Sequence, residues 1–148
     1  MFRSMKIQNT RLMLISLVGL LLFAAVCLTA LRAGAPAAVS IRGESVSLKA
    51  EDEADVAAFL SACGYEAPEW QFAHEITIPK QWNDVYTAYN ELQRRQGFDL
   101  TPYKGKAATE YVYFVSERRN ITVIVSDHRI IAVHICDSDG SEMQAVTP

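Results

Sequence analysis

His134 and Cys136 are residue types that can form a nucleophilic pair. They lie two positions apart in the run RIIAVHIC (residues 129–136), which is typical of a strand, so their side chains are expected to share one face. An imidazole beside a thiol can take its proton and release the reactive thiolate. Side chains at such positions stand side by side, and no third residue is evident to orient the histidine. A half-buried strand face is the simpler interpretation, and an enzyme built on this pair is kept as an alternative.

Zinc ligation is the second chemistry that these residues suggest, because His74, His134 and Cys136 are all ligand types. The chain contains no tight pair of the C-x-x-C or H-x-x-x-H kind. The run DSDG at 137–140 resembles part of a calcium loop but lacks the third carboxylate position and the closing glutamate, so it indicates a turn. We therefore expect no metal and no cofactor.

Catalytic and cofactor-binding motifs are also missing from the sequence. It has no G-x-S-x-G, S-x-x-K or H-E-x-x-H, no phosphate-binding loop and no dinucleotide fingerprint. This favours a protein that is not an enzyme, and we assign no catalytic, cofactor-binding or metal-binding residue.

Four cations, Arg94, Arg95, Lys104 and Lys106, lie close together in the chain and suggest an anion site. Anions prefer helix N-termini, whereas Arg94 and Arg95 fall in the last turn of a predicted helix, where cations offset the exposed carbonyl groups. Gly97 can then adopt the left-handed conformation that ends the helix. Local structure thus explains the cluster, and an anion-sensing module through these four residues is a further alternative.

The elements that position these residues follow from the hydrophobic pattern. Residues 80–96 predict one long amphipathic helix. Its apolar stripe is formed by Trp82, Val85, Tyr86, Tyr89 and Leu92. We interpret this stripe as a core face packed on a sheet, with a ligand cleft as the alternative. A shorter helix is predicted before it, because acidic residues crowd 51–55, apolar residues follow at helical spacing and Gly64 can end it.

Strands are predicted from alternating or β-branched runs at 70–78, 108–115, 120–126 and 129–136. Pro79 ends the first run, and the short turns between the others require antiparallel pairing. The polar tail after Asp137 is expected to end at a sheet edge. The sequence therefore predicts an α+β fold in which a small antiparallel sheet of three to four strands packs against the long helix.

An uncharged, apolar run occupies residues 12–31 and predicts a transmembrane helix before this domain. A helix of that length spans about 30 Å, the thickness of the hydrocarbon core of a bilayer. Arg3, Lys6 and Arg11 precede the run without any acidic residue, so the N-terminus is expected in the cytoplasm. A cleaved signal peptide is the rival interpretation, but Pro36 would then follow the small residues at 33–35.

The domain organisation follows from this placement. We expect a cytoplasmic basic segment at 1–11, a transmembrane helix at 12–31, a linker and extended entry at 32–48, and an extracytoplasmic α+β domain at 49–148. All seventeen Asp and Glu residues of the chain lie beyond residue 43, so the outer part is acidic. An acidic domain is repelled by phosphate backbones, which argues against nucleic-acid binding.

Cys63 and Cys136 would both face an oxidising exterior under this prediction, where a disulfide can form. Such a bridge closes a long loop and would contribute roughly 4 kcal/mol. Two buried thiols that act as small hydrophobic side chains are equally compatible with the sequence. The sequence leaves this choice open.

The central run IPKQWNDVYTAYNELQRRQGFDLTPYKGKAATEYVYFV resembles a family of small bacterial proteins designated domain of unknown function 4830. The matching positions are Ile78-Pro79, Val85-Tyr86, Tyr89-Asn90, Gln93, Gln96 to Leu100, Tyr103 to Lys106, Tyr111 and Tyr113. The resemblance extends from about Glu53 to Met143. It implies a Gram-positive origin and an N-terminal membrane segment, makes a disulfide less expected, and carries over no catalytic residue.

The predicted function is therefore a non-catalytic binding or interaction module of the cell envelope. It would be held at the cell membrane with a single pass, its C-terminal domain extracellular, and would bind a peptide, a protein partner or cell-wall material through a sheet face or edge. The first alternative is a hydrolase or transferase of envelope polymers that uses His134 and Cys136. The second is the anion-sensing module described above.

Overall fold

An antiparallel sheet forms the centre of the structure and carries a helix on each side. The computed structural model describes residues 37–66, 68–137, 139–140 and 142–146, with the single residues 18 and 20. The strands are β1 (Ala38–Ile41), β2 (Glu44–Ser47), β3 (Glu69–Thr77), β4 (Ala107–Ser116), β5 (Arg119–Ser126), β6 (Arg129–Asp137) and β7 (Met143–Gln144). The helices are α1 (Glu53–Ala62), α2 (Asp84–Arg95) and a short 3-10 turn (Thr101–Tyr103).

The main sheet has five strands in the order β3-β4-β5-β6-β7, each antiparallel to its neighbours. Its register places Thr122 of β5 opposite both Val112 of β4 and His134 of β6. Because side chains alternate along a strand, these three residues share one face and their sequence neighbours share the other. The sheet therefore presents two distinct surfaces to the helices.

The larger core lies on the face that the β1–β2 hairpin and α1 cover. Apolar residues of α1, Val56, Phe59 and Leu60, are buried there. They pack in one cluster with Tyr113 and Val123 of the sheet. Asp52 begins α1 by accepting a hydrogen bond from the Asp55 amide at 3.1 Å. The acidic first turn predicted from the sequence is thus confirmed as a helix start.

The smaller core lies on the opposite face, under α2 and the 3-10 turn. Its buried members are Ile78, Leu100, Tyr103, Ala108, Ile124, Ile131 and Ala132. Trp82 and Tyr89 pack against it from the helical side. Gly97, with φ of +90°, ends α2 in the predicted left-handed conformation.

The two edges of the main sheet differ. The backbone groups on the outer side of β6 have several partners. Lys49 forms a bridge with Arg129, the Gln93 side chain of α2 hydrogen-bonds to Val133, and β7 pairs with Ile135 and Cys136. At the other edge, β3 has β4 as its only strand neighbour among the described residues. One edge is therefore closed, whereas the nine residues of β3 have a strand on one side only among the described residues.

The predicted fold was wrong in its strand count and in its helix length. The main sheet has five strands rather than three to four, and a separate two-stranded hairpin accompanies it. The helix predicted at 80–96 is a 12-residue helix that begins after Asn83, whose side chain accepts a hydrogen bond from the Tyr86 amide. It starts late because the Trp82 indole donates to the Pro79 carbonyl at 3.0 Å and holds 79–82 outside the helix.

The transmembrane helix that formed part of the fold prediction has no counterpart in the described structure. Among the described residues, no helix has the length and apolar character needed to cross a membrane. Residues 12–31 themselves lie outside the described part of the chain, apart from 18 and 20.

Candidate functional site

A groove of about 510 Å³ lies between α2 and the sheet face that carries His134. We call it the α2 groove. It is lined by Ile76, Val85, Tyr86, Ala88, Tyr89, Leu92, Arg95, Glu110, Ile124, His134 and Met143. Most of these side chains are apolar or aromatic, and the few polar groups among them lie close to apolar neighbours. This is the composition typical of small-molecule sites.

The groove exists because α2 contacts the sheet through polar side chains. Asn90, Gln93 and Gln96 are the buried side chains of this segment. The Gln93 amide donates to the Val133 carbonyl and accepts from the Val133 amide, both at 3.0 Å, and Gln96 donates to the same carbonyl. Val85, in the first turn of the helix, is 73% exposed. The amide contacts therefore fix the helix against the strand edge, and its apolar stripe lines the groove.

This arrangement confirms the interpretation of the apolar stripe as a core face only in part. Trp82 and Tyr89 pack on the smaller core, but Val85, Tyr86, Tyr89 and Leu92 also line the α2 groove. Hydrophobic periodicity could not reveal this, because the buried hydrogen bonds from α2 to β6 come from a polar side chain outside the stripe. The signal available in the sequence was a pair of glutamines, Gln93 and Gln96, next to an apolar stripe.

A neutral hydrogen-bonded pair forms part of the groove wall. The Tyr89 hydroxyl lies 3.0 Å from Nδ1 of His134, and the two rings meet edge to face. Burial lowers the pKa of His134 to about 4 and raises the pKa of Tyr89, so both are uncharged at neutral pH. Either the hydroxyl or the Nδ1–H group can be the donor of this hydrogen bond, depending on the tautomer of the imidazole. The pair thus adds an uncharged polar contact to the groove wall.

The carboxylate in the groove belongs to Glu110 and is already paired. Its Oε2 lies 3.0 Å from Nε2 of His74 on the neighbouring strand. His74 in turn packs against Phe72, whose ring centroid is 5.7 Å away. The carboxylate that lines the groove therefore has a histidine side chain as its partner.

His134 and Cys136 do share a strand face, but their environment opposes nucleophilic chemistry. Nδ1 of His134 is engaged by Tyr89. Burial and the nearby Asp137, Glu110 and Asp139 raise the pKa of the Cys136 thiol. A protonated thiol beside a neutral imidazole is the opposite of the thiolate that nucleophilic catalysis needs.

The two cysteines of the described domain are both free. Cys63 is buried in the larger core, and its pKa is raised to about 12 because burial penalises the thiolate. Cys136 lies on the other face of the sheet, since its sequence neighbour Ile135 points into that larger core. The structure therefore favours two separate thiols over a bridge.

The four predicted anion-binding cations do not converge on one site. Arg94 donates to Asp99 at 3.1 Å and to Thr101 at 3.2 Å. Lys104 lies 4.0 Å from the centre of the Trp82 ring, and Lys106 pairs with Asp127 at 2.9 Å. Hydrogen bonds from Thr101, Arg94 and Asn90 outweigh burial and hold the pKa of Asp99 below its usual range. Arg95 differs from the other three because it lines the α2 groove.

Metal binding finds no support in the described part of the chain. No group of three or more His, Cys, Asp or Glu side chains there could hold a metal ion. His74 pairs with Glu110 and His134 pairs with Tyr89, so two of the three residues considered for zinc are engaged elsewhere. Of the calcium-like run at 137–140, residue 138 lies outside the described residues.

The fold and the site together define a small α+β domain in which α2 lies beside one face of the main sheet. A groove large enough for a small ligand lies between them. The chain belongs to the family described as Domain of unknown function (DUF4830), which matches residues 59–136. This confirms the resemblance seen in the sequence. The matched range includes every residue named in the groove wall except Met143. No curated protein and no solved structure matches the chain.

Proposed function

We propose that this domain is a non-catalytic binding module that takes a small ligand with an apolar body into the α2 groove. The observation that carries the proposal is the groove itself, about 510 Å³ in volume and walled by apolar residues of α2 and the sheet. Volumes of roughly 300–1,000 Å³ are usual for sites that enclose small molecules. A ligand that covers Val85 and Met143, which are 73% and 51% exposed, would remove apolar surface from water.

The neutral state of the Tyr89–His134 pair supports binding over catalysis. A buried imidazole whose pKa is lowered to about 4 is uncharged, and the neighbouring Cys136 thiol, whose pKa is raised, is protonated. The Tyr89–His134 pair can orient a polar group of the ligand while the rest of the groove remains apolar.

In the cell, we place the module at the cell envelope, outside the cytoplasmic membrane. The support for this placement is the charge pattern of the first 32 residues, in which basic residues precede a long uncharged run. An envelope setting would expose the groove to lipid-derived and cell-wall-derived molecules with apolar parts.

The test is a calorimetric titration of the 148-residue protein with dodecanol. Ala88 is exposed on α2 and lines the groove, so Ala88→Trp fills the groove without disturbing the core. We expect Ala88→Trp to weaken binding by about tenfold or more, which corresponds to about 1.4 kcal/mol.

The matched control is Glu91→Trp, which places the same side chain at an exposed position of α2 outside the groove lining. This variant should bind dodecanol like the wild type, and any uptake elsewhere on the chain is common to all three proteins. Absence of binding to the wild type, or equal loss in both variants, would disprove the proposed function.

A further inference from the structure

Arg95 is the charged group of the α2 groove that has no charged partner among the described residues. It lies in the last turn of α2 and lines the groove, while the adjacent Arg94 is held by Asp99 and Thr101. The carboxylate of the groove, Glu110, is paired with His74. A positive charge that lies beside an apolar wall therefore remains available to a ligand.

Arg95 brings only donors to the groove, whereas Tyr86 and Glu110 also line it and can accept. The Arg95 guanidinium presents five N–H groups in a planar fork that fits a carboxylate. A ligand that fits these groups has to supply acceptors, and an anionic acceptor pairs best with the guanidinium.

The two charges of the groove belong to different elements, Arg95 to α2 and Glu110 to β4. Glu110 raises the pKa of Tyr86, Tyr89 and Cys136, in each case after burial as the main cause. Arg95 is ten positions beyond Val85, which corresponds to about 15 Å along the helix axis. An anionic head group is attracted to Arg95 and repelled by Glu110.

From these observations we infer that the ligand is an aliphatic carboxylate, with its carboxylate at Arg95 and its chain along the apolar wall toward Val85. This inference rests on the proposed function and adds the chemical class of the ligand. Leu92, Ile124 and Ile76 supply the apolar contacts along the way. The arrangement separates a charged end from an apolar body, as an amphipathic acid requires.

The experiment compares dodecanoate with dodecanol, which share a chain and differ in the head group. Both are titrated calorimetrically into the 148-residue wild type, Arg95→Gln and Arg94→Gln. We expect the wild type to bind dodecanoate about tenfold or more tighter than dodecanol, in line with a charge-assisted pair. Arg95→Gln should lose this preference, because the glutamine amide has no charge to pair with a carboxylate.

Arg94→Gln is the matched control, because it removes the same charge from the neighbouring position, where Asp99 already occupies the guanidinium. It should retain the preference for dodecanoate. Both arginines are exposed, so neither substitution disturbs the core.

The outcomes separate this inference from the proposed function. If neither probe binds the wild type, both are disproved. If dodecanol and dodecanoate bind equally, or if Arg94→Gln loses as much preference as Arg95→Gln, the groove remains a binding site but the assignment of a carboxylate to Arg95 is overturned. Tighter binding of an apolar peptide with a free C-terminus than of dodecanoate would also overturn it, in favour of a peptide ligand.

Discussion

His134 shows how strongly one environment can change a single residue. It is 6% exposed, shares a hydrogen bond with Tyr89 and has its pKa lowered to about 4 by burial. In the unfolded chain the same imidazole titrates near pH 6.5. Folding therefore keeps it neutral over a range in which the unfolded chain binds a proton.

This difference predicts a loss of stability in acid. The contribution of the neutral imidazole is fully present above about pH 6.5 and disappears as the pH falls toward 4, because protons then favour the unfolded state. Over that range the free energy of unfolding should fall by roughly 3 kcal/mol from this residue. Urea denaturation at a series of pH values measures the effect.

His134→Gln provides the comparison, since its side-chain oxygen can still accept from Tyr89 and does not titrate. Glu110 and the other carboxylates contribute equally to both proteins and cancel in the difference. The variant should lose less stability than the wild type between pH 6.5 and 4. Parallel pH curves for the two proteins would show that His134 is not buried as described.

The sequence identified His134 as a notable residue but paired it with the wrong neighbour. Its position two residues from Cys136 was visible along one strand. Its actual partner, Tyr89, lies 45 positions away on α2. Spacing along an element predicts which side chains share a face, whereas a contact between elements depends on how they pack.

At the level of elements, α2 is attached to β6 by side-chain amides in place of a further strand. The Gln93 amide satisfies both the N–H and the carbonyl of Val133, and Gln96 adds a bond to the same carbonyl and accepts from the Val146 amide at 2.7 Å. Buried backbone groups without partners are costly. These two glutamines therefore complete the hydrogen bonding of the β6 edge.

Gln93→Ala should consequently destabilise the domain by about 1–3 kcal/mol, since the buried Val133 amide then loses its acceptor. The measurement is the urea midpoint, with an unchanged slope indicating an effect on stability alone. Glu91→Ala, on the exposed side of the same helix, should change the free energy of unfolding by less than about 0.5 kcal/mol. Equal effects of the two substitutions would contradict the role given to Gln93.

The helix itself was predictable from the sequence, but its bounds and its contact face were not. Its end at Gly97 follows from backbone chemistry that any sequence reading can use. Its start at Asn83 depends on the bond between Trp82 and the Pro79 carbonyl. Its buried hydrogen bonds to β6 are made by a polar side chain that meets a strand edge, and hydrophobic periodicity does not detect such a contact.

At the scale of the whole molecule, the closed β6 edge and the open β3 edge predict different exposure of backbone amides. Amides of the central strand β5 should exchange with solvent most slowly, because both sides of that strand are paired. In β3, amides that point away from β4 should exchange much faster than the amides of the adjacent residues, which point toward β4. Hydrogen exchange followed by NMR measures this difference residue by residue.

Uniform protection along β3 would contradict the open edge and indicate that another segment or another copy covers it. The protected amides of β5 and β6 act as the internal reference in the same spectra. Glu69 and Glu75, both exposed, and the bulge between Trp70 and Phe72 are features that discourage unwanted pairing at such an edge.

The antiparallel meander of β4, β5 and β6 was predictable because short turns separate long alternating runs. The two-residue β7 and the four-residue β1 and β2 were not predicted as paired strands, since segments this short carry little periodic signal. The bulge in β3 was also not predicted. It places Trp70 opposite Tyr113 and Phe72 opposite Val112.

The hydrogen bonds from Gln93 and Gln96 to the backbone of Val133 also determine how wide the α2 groove can become. An outward movement of α2 that admits a bulkier ligand would break three buried hydrogen bonds to the backbone of β6. We therefore expect the domain to select ligands by their cross-section. It should bind unbranched chains and exclude branched molecules of equal hydrophobicity.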